Sequence, residues 1–576
     1  KKNEEYLKNE RNFNLCVFRS GKSVTSEQST ASVLIVGAGP IGKMAALLLA
    51  HHGINSCLID RRTELMTAPK AHAVNARTLE ICESIGISAA RLRELGASPE
   101  EAGEVRFVGT MSGPEFGSLP YERQDDAALA FTPFPLSNVA QPVFEQELQR
   151  HVMQSARIEF LQGVECMDLR EEGEQVEATL REVATAEQRP RSFDYVIAAD
   201  GANSKMRDLL GIEMDGPDAL ANYLMIHFQA DLRAITEGQR GLLYFLFQPG
   251  VSGTLIAYDQ AKTWVLMQDW NPDLESREDY TEEKCLSLIE AAVGRPLPET
   301  TIENISPWVM TAQVAKQYRK GRVFLAGDSA HRIPPAGGLG LNSGIGDVQN
   351  LTWKMAAVLQ GAAGEALLDT YEVERQPIAL TNNEQSMTNA LKLFDLLFLI
   401  HGMDPEKTAE RYAAVAANPD AFPELADAVA AQKPHFDSLD LQIGYRYNSE
   451  AIVDPAPIPE VGDISDYQPS WDAGAHFPHR WVTHNGETRP LQSFMSPSTF
   501  TLLRGPESES LQGHAKVNQL TFGADFKDSE DWEVLTGLPP GGAVLIRPDG
   551  HIAARFDSVN EECFMSAVRQ ILARGH

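Results

Sequence analysis

Uninterrupted apolar runs and alternating ones divide this chain into regions of different architecture. Residues 33–36 (VLIV) are wholly apolar and close on Gly37, and residues 40–50 (PIGKMAALLLA) place apolar positions at helical spacing, so the pattern predicts a buried strand, a glycine turn and a helix. Residues 322–355 repeat that order with RVFLAG, a glycine-rich turn and a long helix. A third apolar run, 195–200 (YVIAAD), leads into GANSKMRDLLGI, and residues 158–181 alternate as short strands, so this α/β unit is assembled from separated pieces. Between the pieces, 103–110, 223–232, 241–250, 252–260 and 263–270 alternate apolar and polar positions between turn residues, which predicts an antiparallel sheet. A helical stretch from Asn342 to about Ala431 follows, then a Pro- and Asp-rich connector over 454–469. Strand-like runs at 500–505, 517–523 and 542–556 close the chain as a separate α+β unit.

The predicted organisation is therefore α/β plus α+β. A polar arm covers 1–30, and a discontinuous Rossmann-like unit covers 31–102, 138–210 and 310–400. A sheet unit covers 103–137 and 211–309, a helical segment and linker 401–464, and a last domain 465–576. At 576 residues there is core enough for each. Lys plus Arg total 50 against 80 Asp plus Glu, and a net charge of −30 argues against nucleic acid and anionic membrane as partners. The most apolar helical run, 391–400 (LKLFDLLFLI), carries Lys392 and Asp395 and falls short of the ~20 residues of a span. It reads as a buried or interface helix. The six cysteines are scattered without CxxC, and residues 1–30 lack the apolar core of a secretory signal, so a reducing, cytoplasmic setting is expected. His476 and His479 have no acid or cysteine beside them to complete a metal site, and no metal is expected.

Two segments carry the chemistry. Gly37, Gly39 and Gly42 stand in GxGxxG spacing, and Asp60 closes the next strand about 20 residues on, either as a ribose ligand or as an acid ending a strand. Gly37 permits the tight turn, Gly39 lets the backbone approach a pyrophosphate, Gly42 allows close helix packing, and a helix over 43–50 turns its unpaired N–H groups to the phosphates. A dinucleotide is the predicted ligand. The second segment is the turn Gly327-Asp328-Ser329-Ala330-His331, followed by Pro334-Pro335-Ala336-Gly337-Gly338-Leu339-Gly340-Leu341-Asn342. A helix starting near Asn342 or Ser343 would point its positive end at whatever lies there.

With Asp60-Arg61, the Asp200-Gly201 turn and LNSGIGDVQNLTWKMAAVLQG, these segments resemble the FAD-dependent aromatic hydroxylases from about residue 32 to the C-terminus, in the phenol-hydroxylase-type branch of single-component flavoprotein monooxygenases. The resemblance implies a noncovalent FAD held at Gly37, Gly39, Pro40, Ile41 and Gly42, with Asp60 and Arg61 at the adenosine and the Val164 backbone at the adenine. It assigns Gln141 and Asp200 as further contacts, Gly327 and Asp328 to the ribityl chain, and Gly338, Gly340, Leu341 and Asn342 to the isoalloxazine ring. Gln141 otherwise reads as an exposed helix position, and Asp200 with Ser204 as a turn and N-cap. The last domain resembles the thioredoxin-like domain of that branch, yet Cys563 is its one cysteine, which excludes dithiol exchange and leaves a structural or homodimer-forming role.

The resemblance also implies the reaction: NAD(P)H reduces FAD, O2 adds to give a flavin C4a-hydroperoxide, and a hydroxyl is transferred to a small phenolic ring. No second GxGxxG exists, so NADPH or NADH is a transient reductant. His72, in PKAHAVNARTLEI, matches a family position that carries His or Asp, and an imidazole near pKa 6.5 would take the phenolic proton. His72 and Pro335 are the expected substrate contacts, and His331 is expected to anchor its turn. Two rivals are an FAD-dependent epoxidase or reductase acting on a non-aromatic substrate, and a flavin-binding interaction protein.

Overall fold

The computed structural model describes residues 31–64, 68, 70–251, 253–460, 462–511 and 517–574. The expected arm at 1–30, with Cys16, lies outside them. At the centre is a six-stranded sheet in the order Arg319–Lys320, Val323–Leu325, Tyr195–Ala198, Val33–Val36, Ser56–Asp60, Ile158–Gln162, parallel throughout except for the Arg319–Lys320 edge. Its inner strands are buried along their length because the helix Pro40–His51 and a three-stranded antiparallel sheet both pack against them. The helix Pro40–His51 packs against Gln141–Gln154 and Leu339–Leu359, burying seven consecutive residues from Lys43 to Leu49. An antiparallel sheet of Val164–Glu172, Gln175–Glu182 and Gln188–Phe193 stands beside it.

A second large sheet runs Thr301–Met310, Ala221–Gln229, Thr263–Asp269, Thr254–Asp259, Leu243–Leu246, Glu104–Val108, Glu115–Pro120. The sequence pattern finds five of these seven strands. Thr301–Met310 alternates only between exposed and half-buried positions, so it carries no apolar face to read. One join differs from the antiparallel expectation: Leu243–Leu246 pairs in parallel with Glu104–Val108, because the chain leaves this sheet for the six-stranded one between them.

The helical region resolves into Leu339–Leu359, Thr370–His401, Thr408–Ala417 and Pro423–Ala430. The first of these begins three residues before Asn342, since Gly338 (φ +64°) takes the left-handed conformation that lets the chain enter the helix directly from the proline-rich turn. In Thr370–His401, Leu396 and Ile400 are buried while Leu391, Phe394 and Phe398 are exposed. Among the described residues no helix is long and apolar enough to cross a membrane.

The C-terminal sheet has the order Asn518–Thr521, Thr501–Arg504, Ala543–Ile546, Ile552–Phe556, with the first pair parallel and the others antiparallel, followed by the helix Glu561–Ile571. Its four strands fall within the runs read at 500–505, 517–523 and 542–556. The connector expected over 454–469 is packed down: Ile464 and Tyr467 are buried, and the Ile464 carbonyl accepts from the Asp440 N–H. Trp353 and Leu367 of the first unit share one apolar core with Leu502, Leu545 and Ala554 of the last.

Candidate active site

The glycine turn after Val33–Val36 is shaped by close approach on two sides and open space on the third. A Cβ built at Gly42 would lie 1.9 Å from the Gly37 carbonyl oxygen, and one at Gly37 would lie 2.4 Å from the Ala199 carbonyl oxygen. At Gly39 it would meet nothing within 4 Å. The fold itself therefore requires glycine at 37 and 42, whereas the need at 39 comes from whatever the turn receives. With Pro40 at N1 and no side-chain cap, the first-turn N–H groups of Pro40–His51 are left for a ligand.

Asp60 ends its strand beside this turn. Its Oδ2 accepts from the Ala38 N–H (2.9 Å) and Arg62 Nη2 (2.9 Å), and its Oδ1 from the Arg62 N–H (2.8 Å) and Nε (3.1 Å). Burial opposes the charge, but the bonds from Arg62 and Ala38 hold the carboxyl below its usual pKa. All four acceptor positions are filled, so a ribose hydroxyl must displace one Arg62 bond. Arg62, not the exposed Arg61, is the arginine engaged with Asp60. Asp60 and Arg62 line a recess with Ala38, Glu145, Phe160 and Gln162.

Behind the recess, buried Lys43 donates to Glu145 (3.0 Å), and burial lowers its pKa against the pull of that carboxylate. Gln141 donates to the other Glu145 oxygen (2.8 Å), and its Oε1 accepts from the Ala71 N–H (3.3 Å). Gln141 is thus half-buried and ties its helix to the segment that carries His72. Val164 begins its strand opposite Glu182. Asp200 accepts from Ser204 Oγ (2.5 Å) and the Met206 N–H (3.1 Å), and Ser204 caps the helix Lys205–Leu210. The turn-and-cap role of Asp200 is thereby formed. Burial raises its pKa against those bonds.

The second glycine segment packs onto the first. A Cβ at Gly327 would lie 2.9 Å from Ile41, and the Gly327 N–H donates to Asp347 (3.1 Å). Buried His331 bonds the same carboxylate through Nε2 (2.6 Å), and Arg375 holds the other oxygen (2.9 Å), so the histidine fixes the turn to the helix behind it. Asp328 is exposed, yet the protein around it raises its pKa by desolvation, against the pull of His331, Lys70 and Arg332. Pro335 is exposed, and the Ala336 carbonyl beneath it accepts from Ser386 (2.8 Å). A Cβ at Gly340 would meet nothing within 4 Å. Half-buried Leu341 packs against the main core. Asn342 accepts from the Asn75 N–H (3.1 Å) and Thr78 Oγ1 (2.8 Å) and donates to the carbonyls of Ala73 (3.0 Å) and Gly338 (2.9 Å). Its amide is fully committed to joining this loop to the His72 segment, which leaves only its backbone to a ligand.

Half-buried His72 lies where that segment meets the seven-stranded sheet. Its Nδ1 faces Asn138 Oδ1 at 3.1 Å, and the Asn138 amide nitrogen donates to the Ala102 carbonyl (3.3 Å). This orientation makes Nδ1 the protonated nitrogen and leaves Nε2 as an acceptor. The rings of Tyr121 and Tyr258 stand 5.5 and 5.8 Å from it between centroids. Burial pushes the imidazole down to about 4, with Asn138 pulling the other way, which corrects the expectation of a base near 6.5.

Sequence reasoning missed Asn138, Tyr121, Tyr258 and the Lys43–Glu145 pair. A lysine inside an otherwise apolar helix was a signal for an acid partner; the two tyrosines had none. It also missed a buried junction at the far end of Leu339–Leu359. There Glu374 accepts from Lys354 (2.7 Å), Asn350 (2.6 Å) and Arg547 (2.6 and 2.8 Å), while Arg547 and Trp353 hold Asp549. Arg77 donates to the Asp549 carbonyl. No group of metal-ligating side chains occurs among the described residues.

A family model described as FAD binding domain matches residues 30–386, and one described as aromatic-ring hydroxylase, C-terminal, matches residues 471–575. Tetracenomycin A2 monooxygenase-dioxygenase of Streptomyces glaucescens is 32% identical, over 94% of this chain and 97% of its own length. The 2,4-dichlorophenol 6-monooxygenase of Cupriavidus pinatubonensis is 29% identical, over 94% and 96%. Among solved structures, the flavin-dependent monooxygenase PieE in complex with FAD and substrate superposes with a TM-score of 0.88 at 28% identity, covering 96% of this chain and 100% of that one. Aklavinone-11 hydroxylase in its ternary complex with FAD and aklavinone gives 0.79 at 27%, with the same coverage.

Proposed function

The chain belongs to the FAD-dependent aromatic-ring hydroxylases, and from that premise we propose that it is an NAD(P)H-dependent monooxygenase whose substrate is a phenolic ring. The observation that carries the substrate class is the free Nε2 acceptor of His72, fixed by Asn138 between the glycine loop and the sheet. FAD is the cofactor, and the residues present fit it: the open space at Gly39 and Gly340 and the uncapped helix at Pro40 suit a diphosphate and a flat ring. Bound FAD supplies the redox chemistry, taking electrons from NAD(P)H and activating O2.

The chain's own share is placement and proton handling. Gly37 to Gly42 and Asp60 would hold the dinucleotide, Gly327 and Asp328 its linking chain, and the backbone from Pro335 to Asn342 its ring. The N-terminus of Leu339–Leu359 stabilises negative charge at that edge. His72 Nε2 accepts the phenolic proton as the phenol becomes a phenolate, whose negative charge makes the ring carbon beside the oxygen nucleophilic, and Nδ1 stays bonded to Asn138. The seven-stranded sheet closes over the ring and excludes water. With no second GxGxxG, NADH or NADPH approaches transiently. The five cysteines among the described residues are all unpaired, which supports a reducing, cytoplasmic setting.

The test is a panel of 2,4-dichlorophenol, 1-naphthol and cyclohexene, scored for stimulated NAD(P)H oxidation and for oxygenated product. Hydroxylated phenol formed in proportion to NAD(P)H consumed is expected. Turnover with the alkene and none with the phenols would assign the protein to epoxidation instead.

A further inference from the structure

Around His72 nearly every polar group is committed. Asn138 is held at both ends of its amide, and the Tyr258 hydroxyl donates to the Lys70 carbonyl (3.0 Å). Tyr121 differs. It is 4% exposed, and among the described residues its hydroxyl makes no hydrogen bond and retains accessible surface. Its ring lies 5.5 Å from His72, and a Cβ built at Gly338 of the flavin loop would come within 3.5 Å of that hydroxyl oxygen. The hydroxyl is not sealed into the core, so it opens on the space beside His72 and Gly338 and is free to bond a group placed there.

The backbone around Tyr121 is held in an unusual way. The next residue, Glu122, adopts φ +53°, a left-handed conformation disfavoured for a residue with a side chain. Its N–H donates to the Phe436 carbonyl (2.6 Å), and its carboxyl accepts from Gln442 (2.8 Å), which sits in the π-helical turn Asp440–Gly444. The Phe436 ring packs on Tyr121 at 6.2 Å. Strained residues and π-turns gather where a functional group must be aimed.

The geometry points to Tyr121 as a substrate-positioning residue: its hydroxyl donates to the oxygen of a hydroxyl-bearing aromatic ring while that oxygen's proton faces His72 Nε2. This assignment rests on the phenolic reading above. One free donor and one free acceptor together select an oxygen that both accepts and donates. A phenol does both, an aromatic amine donates but accepts poorly, and a methyl ether cannot donate. Burial raises the Tyr121 pKa well above its usual value, so the group stays a donor across working pH. As the substrate loses its proton, the bond from Tyr121 becomes charge-assisted and strengthens.

The experiment titrates the FAD-loaded protein, by change in flavin absorbance, with 2,4-dichlorophenol against 2,4-dichloroaniline and 1-naphthol against 1-naphthylamine. Wild type should bind each phenol about tenfold more tightly than its amine, and Tyr121→Phe should keep FAD, lose about tenfold in phenol affinity and erase the phenol–amine difference. His72→Ala should keep that difference while slowing product formation. Unchanged phenol affinity in Tyr121→Phe, or equal binding of phenol and amine by wild type, overturns the assignment of Tyr121 and leaves the base reading of His72 standing. Failure of both phenols to bind wild type overturns both. If Tyr121→Phe does not fold, the wild-type comparison of phenol with amine decides alone.

Discussion

Replacing Arg547 by methionine tests whether the C-terminal sheet is an integral support of the flavin unit. Glu374, Lys354, Arg547 and Asp549 are all buried, with side chains no more than 1% exposed, and their charges cancel as two acids against two bases. Arg547→Met, a replacement of similar reach, leaves two acids against Lys354 and so a net buried charge of −1. Removing one partner from a buried ion pair costs about 3–5 kcal/mol, because the remaining charge keeps its desolvation penalty without its counter-charge. That is a large part of the ~5–15 kcal/mol that holds a domain folded. The loss should also reach the flavin turn, since Arg375, next to Glu374, holds the Asp347 carboxylate that anchors His331 and Gly327. The assay is urea denaturation followed by protein fluorescence and flavin release, in excess FAD at pH 7. A midpoint close to wild type, with FAD still bound, would refute the reasoning. The double variant Glu374→Gln, Arg547→Met leaves Lys354 against Asp549 and should recover part of the loss.

Three other outcomes are expected. Gly39→Val should fold but purify without flavin, whereas Gly42→Ala should fail to accumulate as folded protein, because its Cβ would lie 1.9 Å from a backbone oxygen; circular dichroism and flavin absorbance separate the two, and equal behaviour would discount the cradle. His72→Ala should retain FAD and slow phenol hydroxylation about 10²- to 10⁴-fold at neutral pH, with the deficit shrinking for more acidic phenols; since burial holds His72 near 4, the wild-type rate should show no His72 inflection between pH 5 and 8, and a hydroxylation rate insensitive to the substitution would make His72 a packing residue. Burial also lowers His551 to about 4 and His435 to about 3, so the unfolded chain takes up protons first as pH falls. Stability is then fully present above about pH 6.5 and declines towards pH 4, by about 3 kcal/mol for His551 alone; urea midpoints equal at pH 7 and pH 5 would contradict this.

Features set by short-range spacing were legible in the sequence. Gly42 is demanded by the Gly37 carbonyl of its own turn, and four apolar residues in a row announce a strand covered on both sides, whereas Gly37, readable from its spacing, is demanded by the distant Ala199 carbonyl. What was hidden depends on contacts between distant segments. Arg61 and Arg62 look alike in sequence, and only the strand end decides that Arg62 folds back on Asp60. Asn342 reads as a ring contact, and what the sequence hides is that its side-chain amide is spent on Ala73, Asn75 and Thr78, more than 260 residues away. His72 looks like an ordinary imidazole until its burial beside Tyr121 and Tyr258 lowers its basicity. Lys354, set in an otherwise apolar helical run, was the one readable trace of the junction, and its partner Glu374 lies on another helix.

The junction explains why a thioredoxin-like fold without a dithiol can still serve this protein. Arg77 donates to the Asp549 carbonyl from the helix Ala76–Ser84, whose N-cap is Asn75. The Asn75 N–H in turn bonds Asn342, which fixes the start of Leu339–Leu359 and the Ala73 carbonyl next to His72. Leu339–Leu359 is therefore pinned in its first turn by Asn342 and along its body by Lys354 and Trp353, through which it meets Glu374 and Asp549. A helix held at both places cannot tilt to open the loop above it without breaking a buried ion pair. On the proposed placement of FAD, the C-terminal sheet would act on the reaction by geometry: it braces the helix whose first turn would face the flavin ring, and through Arg77 it braces the segment that carries His72.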